Sequence, residues 1–278
     1  MYINLFHYIR RSCAEKYEKN MKKLLKYIFV LIAIISLVHV TKDIIDFTKE
    51  IIILKDPHIK AKIREERMMQ PTVKITSIIV PAPSSGSTKG YITISSATGF
   101  SIKYDIKNNE SLIVTNDHFC KSNISGVTFL VEDYSKSSLE SKRTYLNGEI
   151  IYTEPSLDLC LIKAGGYIRP ATLASYGYTP KAFEEIFVVG APSGSFPIIF
   201  DSYISNIISR NEIALGLMSP KGNSFLLISE QVFPGHSGSP VFTKDGKVIG
   251  IIFGALQSYG GLAISVKDIY KILELAEK

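Results

Sequence analysis

The sequence predicts an all-β unit that ends in one helix and follows a separate, apolar N-terminal helix. Three observations carry this. From about residue 90 onward, short apolar or alternating runs recur between clusters of Gly, Asn, Pro and Ser. The period turns helical only from Val266 to Glu277, where Ile269, Ile272 and Leu275 share a face. A lone hydrophobic run, Leu24–Val40, stands apart near the start. In chain order, strands are predicted at Tyr91–Ser95, Ser111–Thr115, Val127–Glu132, Glu149–Thr153 and Leu157–Lys163. Gly165–Pro180, rich in Gly and Tyr, reads as a connection. A second set follows at Ile186–Gly190, Ile198–Ile208, Phe225–Ser229, Val248–Phe253 and Leu262–Ser265. About two hundred residues remain once the N-terminal part is set aside, enough for a sizeable core.

The chemistry concentrates in Gly235-His236-Ser237-Gly238-Ser239-Pro240. Glycines on either side of a serine let the backbone turn sharply and aim N–H groups at one point. A serine hydroxyl needs a base, and the chain has five histidines. His7, His39 and His58 lie in or near the N-terminal apolar region, and His236 is adjacent to Ser237 and points away from it. That leaves His118, where the apolar run Leu112–Val114 ends in a polar turn. Asp158 interrupts the apolar run Leu157–Ile162, and a charge there is costly without a partner such as a histidine N–H. Each residue also has a plain reading: a turn serine, a capping histidine, a water-facing carboxylate.

Their order and setting resemble the trypsin-like serine proteases, in particular the HtrA/Deg-type branch. Ala97-Thr98-Gly99-Phe100 looks like the G-[ST]-G-F strand of that family, and Thr115-Asn116-Asp117-His118 looks like its T-N-x-H turn. Asp158-Leu159-Cys160-Leu161-Ile162-Lys163 is similar to the aspartate strand, and Gly190-Ala191-Pro192-Ser193-Gly194 to the G-x-P-x-G bend. Gly246–Ile251 and Gly261–Val266 resemble the strands that follow the serine, so the likeness runs from about Gly90 to Tyr270. The resemblance implies two six-stranded antiparallel β-barrels (chymotrypsin-like), about 90–170 and 180–265, within a protease domain 90–278. It implies that His118 is the base, Asp158 its orienting acid and Ser237 the nucleophile, with the Gly235 and Ser237 N–H groups as oxyanion donors. It implies a primary pocket based on Gln231 and walled by Ile252, Phe253 and Gly254. No acid stands at those places, which argues against Lys or Arg at the cleaved position and for a small or medium apolar side chain. His236 stands where the family usually has Asp or Asn, and Ser239 replaces a glycine. No PDZ module is expected after the last helix.

Leu24–Val40 is a predominantly apolar 17-residue run. As a helix it reaches about 26 Å, near the bilayer core of about 30 Å. Arg10, Arg11, Lys16, Lys19, Lys22, Lys23 and Lys26 gather at its N-terminal side, so residues 1–23 are expected in the cytoplasm and the protease domain on the far side. No small-x-small cleavage pattern follows, which favours an uncleaved anchor; Met21 is an alternative start. Residues 41–89 read as stalk and linker: Ile44–Leu54 is apolar and suits the bilayer surface or a second copy, Lys55–Gln70 is charge-rich, and Pro81–Ser87 is a flexible link. Residues 1–70 hold 14 Lys+Arg against 8 Asp+Glu, and the remaining 208 hold 18 of each. The basic balance therefore belongs to the anchor and stalk, and no nucleic-acid partner is expected.

Cys120 and Cys160 each follow a candidate triad residue by two positions; they can pair in an oxidising compartment, but buried free thiols are the favoured expectation. No His/Cys/Asp/Glu spacing suggests a metal, and no cofactor is expected. Two function classes follow: a membrane-anchored serine endopeptidase acting on proteins or peptides, or an inactive or latent trypsin-like module that binds extended peptides.

Overall fold

The computed structural model describes residues 36, 41, 57–79, 92–121, 127–134, 144–209, 224–256 and 259–277. The expected membrane run 24–40 lies outside these apart from Ser36, as does the linker 81–87. No helix among the described residues is long and apolar enough to cross a membrane. The chain divides into two units, 1–61 and 62–278. The β-structure belongs to the second.

A short helix α1 (Pro57–Arg64) and a π-helical turn (Glu65–Met69) precede the strands. The first barrel comprises β1 (Thr72–Ile79), β2 (Thr93–Asp105), β3 (Glu110–Thr115), β4 (Val127–Asp133), β5 (Thr144–Glu154) and β6 (Leu159–Gly165). It closes in the antiparallel order β1-β2-β3-β6-β5-β4, with the one-turn helix α2 (Asp117–Cys120) after β3. A two-residue strand, β7 (Thr172–Leu173), runs parallel to the start of β12. The second barrel is built from β8 (Glu185–Gly190), β9 (Ile198–Ser209), β10 (Ser224–Ile228), β11 (Pro240–Thr243), β12 (Lys247–Ala255) and β13 (Gly261–Ser265), closed by β11 pairing with β12. Helix α3 (Val266–Ala276) ends the fold. The Ser265 hydroxyl caps it by accepting from the Lys267 N–H at 3.3 Å, and its Val266, Ile269 and Ile272 are buried. Two six-stranded barrels and a terminal helix are thus present as expected.

The side-chain alternation of the strands makes three cores from two barrels. On β6, Cys160, Ile162 and Ala164 fill the first barrel, while Leu159 and Leu161 face the seam between barrels. On β8, Ile186 and Val188 fill the second barrel, while Phe187 and Val189 join the same seam. Strands buried on both faces read as unbroken apolar runs, which is why these two stood out in the sequence.

Two expectations are corrected. The first barrel begins at Thr72, inside the segment 41–89 assigned to stalk and linker: β1 pairs with β2 and β4 and buries Val73 and Ile75. Half-buried Lys74 and Thr76 on its outer face, and the polar Ser77 buried on its inner face, hid the alternation. The end of the presumed stalk is likewise part of the folded unit. Met68 is buried in the seam core, the Arg67 guanidinium donates to the Asp245 carbonyl at 3.0 Å, and that of Arg64 lies 4.5 Å from the centre of the Phe187 ring. Cys120 and Cys160 are not free thiols but a disulfide. Antiparallel pairing of Thr115 with Cys160 at the ends of β3 and β6 brings α2 over the β6 start, within reach of the bond.

The segment between β10 and β11 folds back on the second barrel and buries His236 completely. Its ring stands edge-on to Phe200 of β9, centroids 5.0 Å apart, and its Nδ1 accepts the Phe233 N–H at 3.2 Å. Nδ1 is therefore the unprotonated nitrogen. Burial pushes the imidazole pKa down to about 4. An unfolded chain takes the proton near pH 6.5, whereas the folded one resists it until about pH 4, so stability falls as the pH drops through that window. Urea unfolding of the parent chain and of His236→Asn across this range checks it. The parent should lose about 3 kcal/mol more than the variant, and parallel curves would contradict the burial of a neutral imidazole.

Candidate active site

Three local structures deliver the candidate side chains to one place. His118 sits in α2, a single turn that starts where β3 stops. Asp158 lies in the turn joining β5 to β6, in the left-handed region at φ 54°. The turn is held by the Leu157 and Asp158 N–H groups donating to the Glu154 and Pro155 carbonyls. Ser237 lies between Gly235 (φ 98°) and Gly238 (φ 85°), before β11. Neither glycine tolerates a side chain: at Gly235 it would strike the Ala191 carbonyl, at Gly238 the Thr98 carbonyl.

These residues form one hydrogen-bonded chain. His118 Nε2 is 2.9 Å from Ser237 Oγ. Its Nδ1 is 2.8 Å from Asp158 Oδ2 and 3.1 Å from Oδ1, and its backbone N–H also donates to Oδ1 at 2.8 Å. With its carboxylate oxygens so occupied, Asp158 is only 13% exposed while the imidazole is 45% exposed, open to a ligand. The carboxylate fixes the Nδ1–H tautomer and leaves the Nε2 lone pair toward the hydroxyl. Asn116, named above only as part of the T-N-x-H likeness, donates from Nδ2 to the Asp158 carbonyl at 3.0 Å and supports the aspartate turn. The disulfide ties α2, which carries His118, to the start of β6, two residues after Asp158.

The loop around the serine is tied on all sides. The Thr98 N–H donates to the Ser237 carbonyl and the Gly238 N–H to the Ile252 carbonyl, at 2.8 and 2.9 Å. The Pro234 carbonyl accepts from the Ser193 N–H at 2.7 Å, and the Gly235 carbonyl from Thr98 Oγ1 at 2.8 Å. Among the described residues, no backbone hydrogen bond takes up the Gly235 or Ser237 N–H.

The four expected pocket residues divide. Ile252 is buried, its N–H donating to the Ser239 carbonyl. Phe253 packs on Phe225, ring centres 5.2 Å apart, at a bulge in the pairing with β13, and open space lies over Gly254. Gln231 is exposed. Its neighbour Val232, missed in the sequence, occupies the space that a side chain on Gly261 would take. Nothing in the sequence marks which of two adjacent loop residues turns inward.

The sequence profile of the trypsin-like peptidase domain matches residues 97–251, more than half of the chain and all three residues of the relay. A probable periplasmic serine endoprotease, DegP-like, of Pseudomonas fulva is 28% identical over 137 residues, 45% of this chain and 26% of that protein. A similar one from Marinomonas sp. is 28% identical over 157 residues, 55% of this chain and 28% of that protein. The chain thus spans about a quarter of the length of these relatives. Among solved structures, the Rv3671c protease is similar at TM-score 0.57 and 20% identity, over 80% of this chain and 97% of that one. The HtrA-type protease AlgW with a decapeptide has TM-score 0.60 and 17% identity, over 77% of this chain and 65% of that one. Barrel topology, the placing of the relay at the seam and the profile match agree: the chain belongs to the trypsin-like peptidase family, with HtrA/DegP-like serine proteases among its homologues.

Proposed function

We propose that the chain is a serine endopeptidase of HtrA type, anchored in a membrane by residues 24–40 with its barrels on the extracytoplasmic side. The observation that carries the enzymatic reading is the unbroken chain from Asp158 through His118 to Ser237. A peptide carbonyl placed against Ser237 is attacked by Oγ while His118 Nε2 takes the hydroxyl proton. The oxyanion draws on the Gly235 and Ser237 N–H groups, each such donor contributing on the order of 3 kcal/mol in the transition state. The C–N bond breaks as His118 returns the proton to the leaving amine, and water, deprotonated by the same nitrogen, clears the acyl-enzyme. Asp158 holds the imidazole and offsets its transient positive charge.

Beyond Ile252, β12 pairs only with β13 among the described residues, so Phe253 and Gly254 have an edge on which an extended peptide can add a strand. Val232 filling the space over Gly261, and the absence of an acid at Gln231, Ile252, Phe253 and Gly254, support a shallow, uncharged pocket and a small aliphatic side chain at the cleaved position. The anchor rests on the apolar run and its cationic flank. The extracytoplasmic placing draws further support from the Cys120–Cys160 disulfide, which belongs in an oxidising compartment, and from the periplasmic relatives.

In cells expressing the full chain, a fluorophosphonate should label Ser237 in the membrane pellet, and Ser237→Ala should abolish the label. His118→Ala and Asp158→Asn should slow it by about 1,000-fold or more. A folded chain that never labels would favour the peptide-binding module, and label in the soluble fraction alone would remove the anchor. Digestion of a peptide library should yield cuts after Ala and Val. Cuts concentrated after Lys, Arg or Phe would overturn the shallow-pocket reading.

A further inference from the structure

Thr98 is fully buried on β2 of the first barrel, and its hydroxyl does two things at once. It donates to the Gly235 carbonyl at 2.8 Å and accepts the Ala191 N–H at 2.9 Å. Ala191 opens the bend that ends at Gly194, and within that bend the Ser193 N–H holds the Pro234 carbonyl at 2.7 Å. The two peptide planes that meet at Gly235 are thus both controlled from Thr98, one directly and one through the bend. In a trans peptide the N–H points opposite to the C=O, so the direction of the Pro234 carbonyl sets the direction of the Gly235 N–H. Gly235, at φ 98° and without a side chain, offers little resistance to a flip of its own.

We propose that Thr98 is a positioning residue for the oxyanion hole, its hydroxyl locking the Gly235 N–H toward the Ser237 side. The inference deepens the enzymatic reading and rests on it. Thr98 touches no reacting atom; it acts through the loop. Removing the hydroxyl leaves the buried Ala191 N–H unpaired and frees the Gly235 carbonyl. Rotation of the Pro234–Gly235 peptide then puts a carbonyl where a donor is needed. The oxyanion exists only beyond the ground state, so the loss should fall on the chemical step rather than on ligand binding.

The test uses the full-length chain and a fluorophosphonate, with the limiting labelling rate and the half-saturating concentration measured separately, and melting followed in parallel. Thr98→Val, nearly isosteric, should lower the limiting rate by about 10- to 100-fold while the half-saturating concentration moves by less than about threefold. Thr98→Ser, which keeps the hydroxyl, should return the rate to within about threefold of the parent. If the valine variant melts early, Thr98→Ala carries the same expectation. A valine variant that labels at the parental rate would overturn the proposal, as would a serine variant as slow as valine, since the methyl would then be what matters. A parent chain that does not label would instead overturn the nucleophile assignment, and this proposal with it.

Discussion

The hydrogen bond between Ser237 and His118 crosses the seam between two barrels, and the rest of the structure serves its length. His118 and Asp158 are carried by turns of the first barrel and Ser237 by a loop of the second. Within one barrel, ladder hydrogen bonds would fix such a distance. Across a seam, side-chain packing and a few polar ties must do so. Met68, Phe100, Leu159 and Leu161 meet Phe187, Phe242, Val248 and Ile251 in one buried core, whose close packing limits sliding. The polar ties across it, from Thr98 to Ser237, Gly235 and Ala191, lie beside the loop that carries Ser237. A displacement of about 1 Å at such a site can cost 100-fold in rate, so a plastic seam would be of little use.

The loop that carries Ser237 is held by an unusual buried group. His236 stands where the resembled family usually has Asp or Asn, and it meets Phe200 and the Phe233 N–H. Ser239, the other departure, packs with His236 against Gly190. Both are fully buried, and neither His236 Nε2 nor Ser239 Oγ has a hydrogen-bond partner among the described residues. A neutral imidazole in an apolar niche can lock the loop only by shape and one backbone bond. This places more of the burden on the backbone ties through Thr98 and Ser193.

Much of this was legible in the sequence. The apolar runs at Leu159–Ile162 and Ile186–Val189 are strands buried on both faces, and His118 and Asp158 stand out because each ends or interrupts an apolar run. Glycines flanking Ser237 announce a turn that other residues cannot make. What stayed hidden is non-local. β1 shows only two buried apolar residues between polar neighbours, and its barrel membership depends on partners 14 to 60 positions away. The Cys120–Cys160 disulfide depends on the register of β3 against β6, which spacing alone does not give. Val232 and Gln231 are equally plausible lining residues until the backbone of the loop is known. Thr98 reads as one more strand threonine until its two hydrogen-bond partners are seen.

The account rests on two barrels bringing a base and a nucleophile into contact beside a ready pair of N–H donors. A crystal structure of the chain phosphonylated at Ser237 measures this most directly. The account predicts the phosphoryl oxygen between the Gly235 and Ser237 N–H groups, with His118 Nε2 still within hydrogen-bond reach of the adduct and Asp158 behind it. A phosphoryl oxygen turned to solvent, with the Pro234 carbonyl in its place or the imidazole swung away, would contradict it.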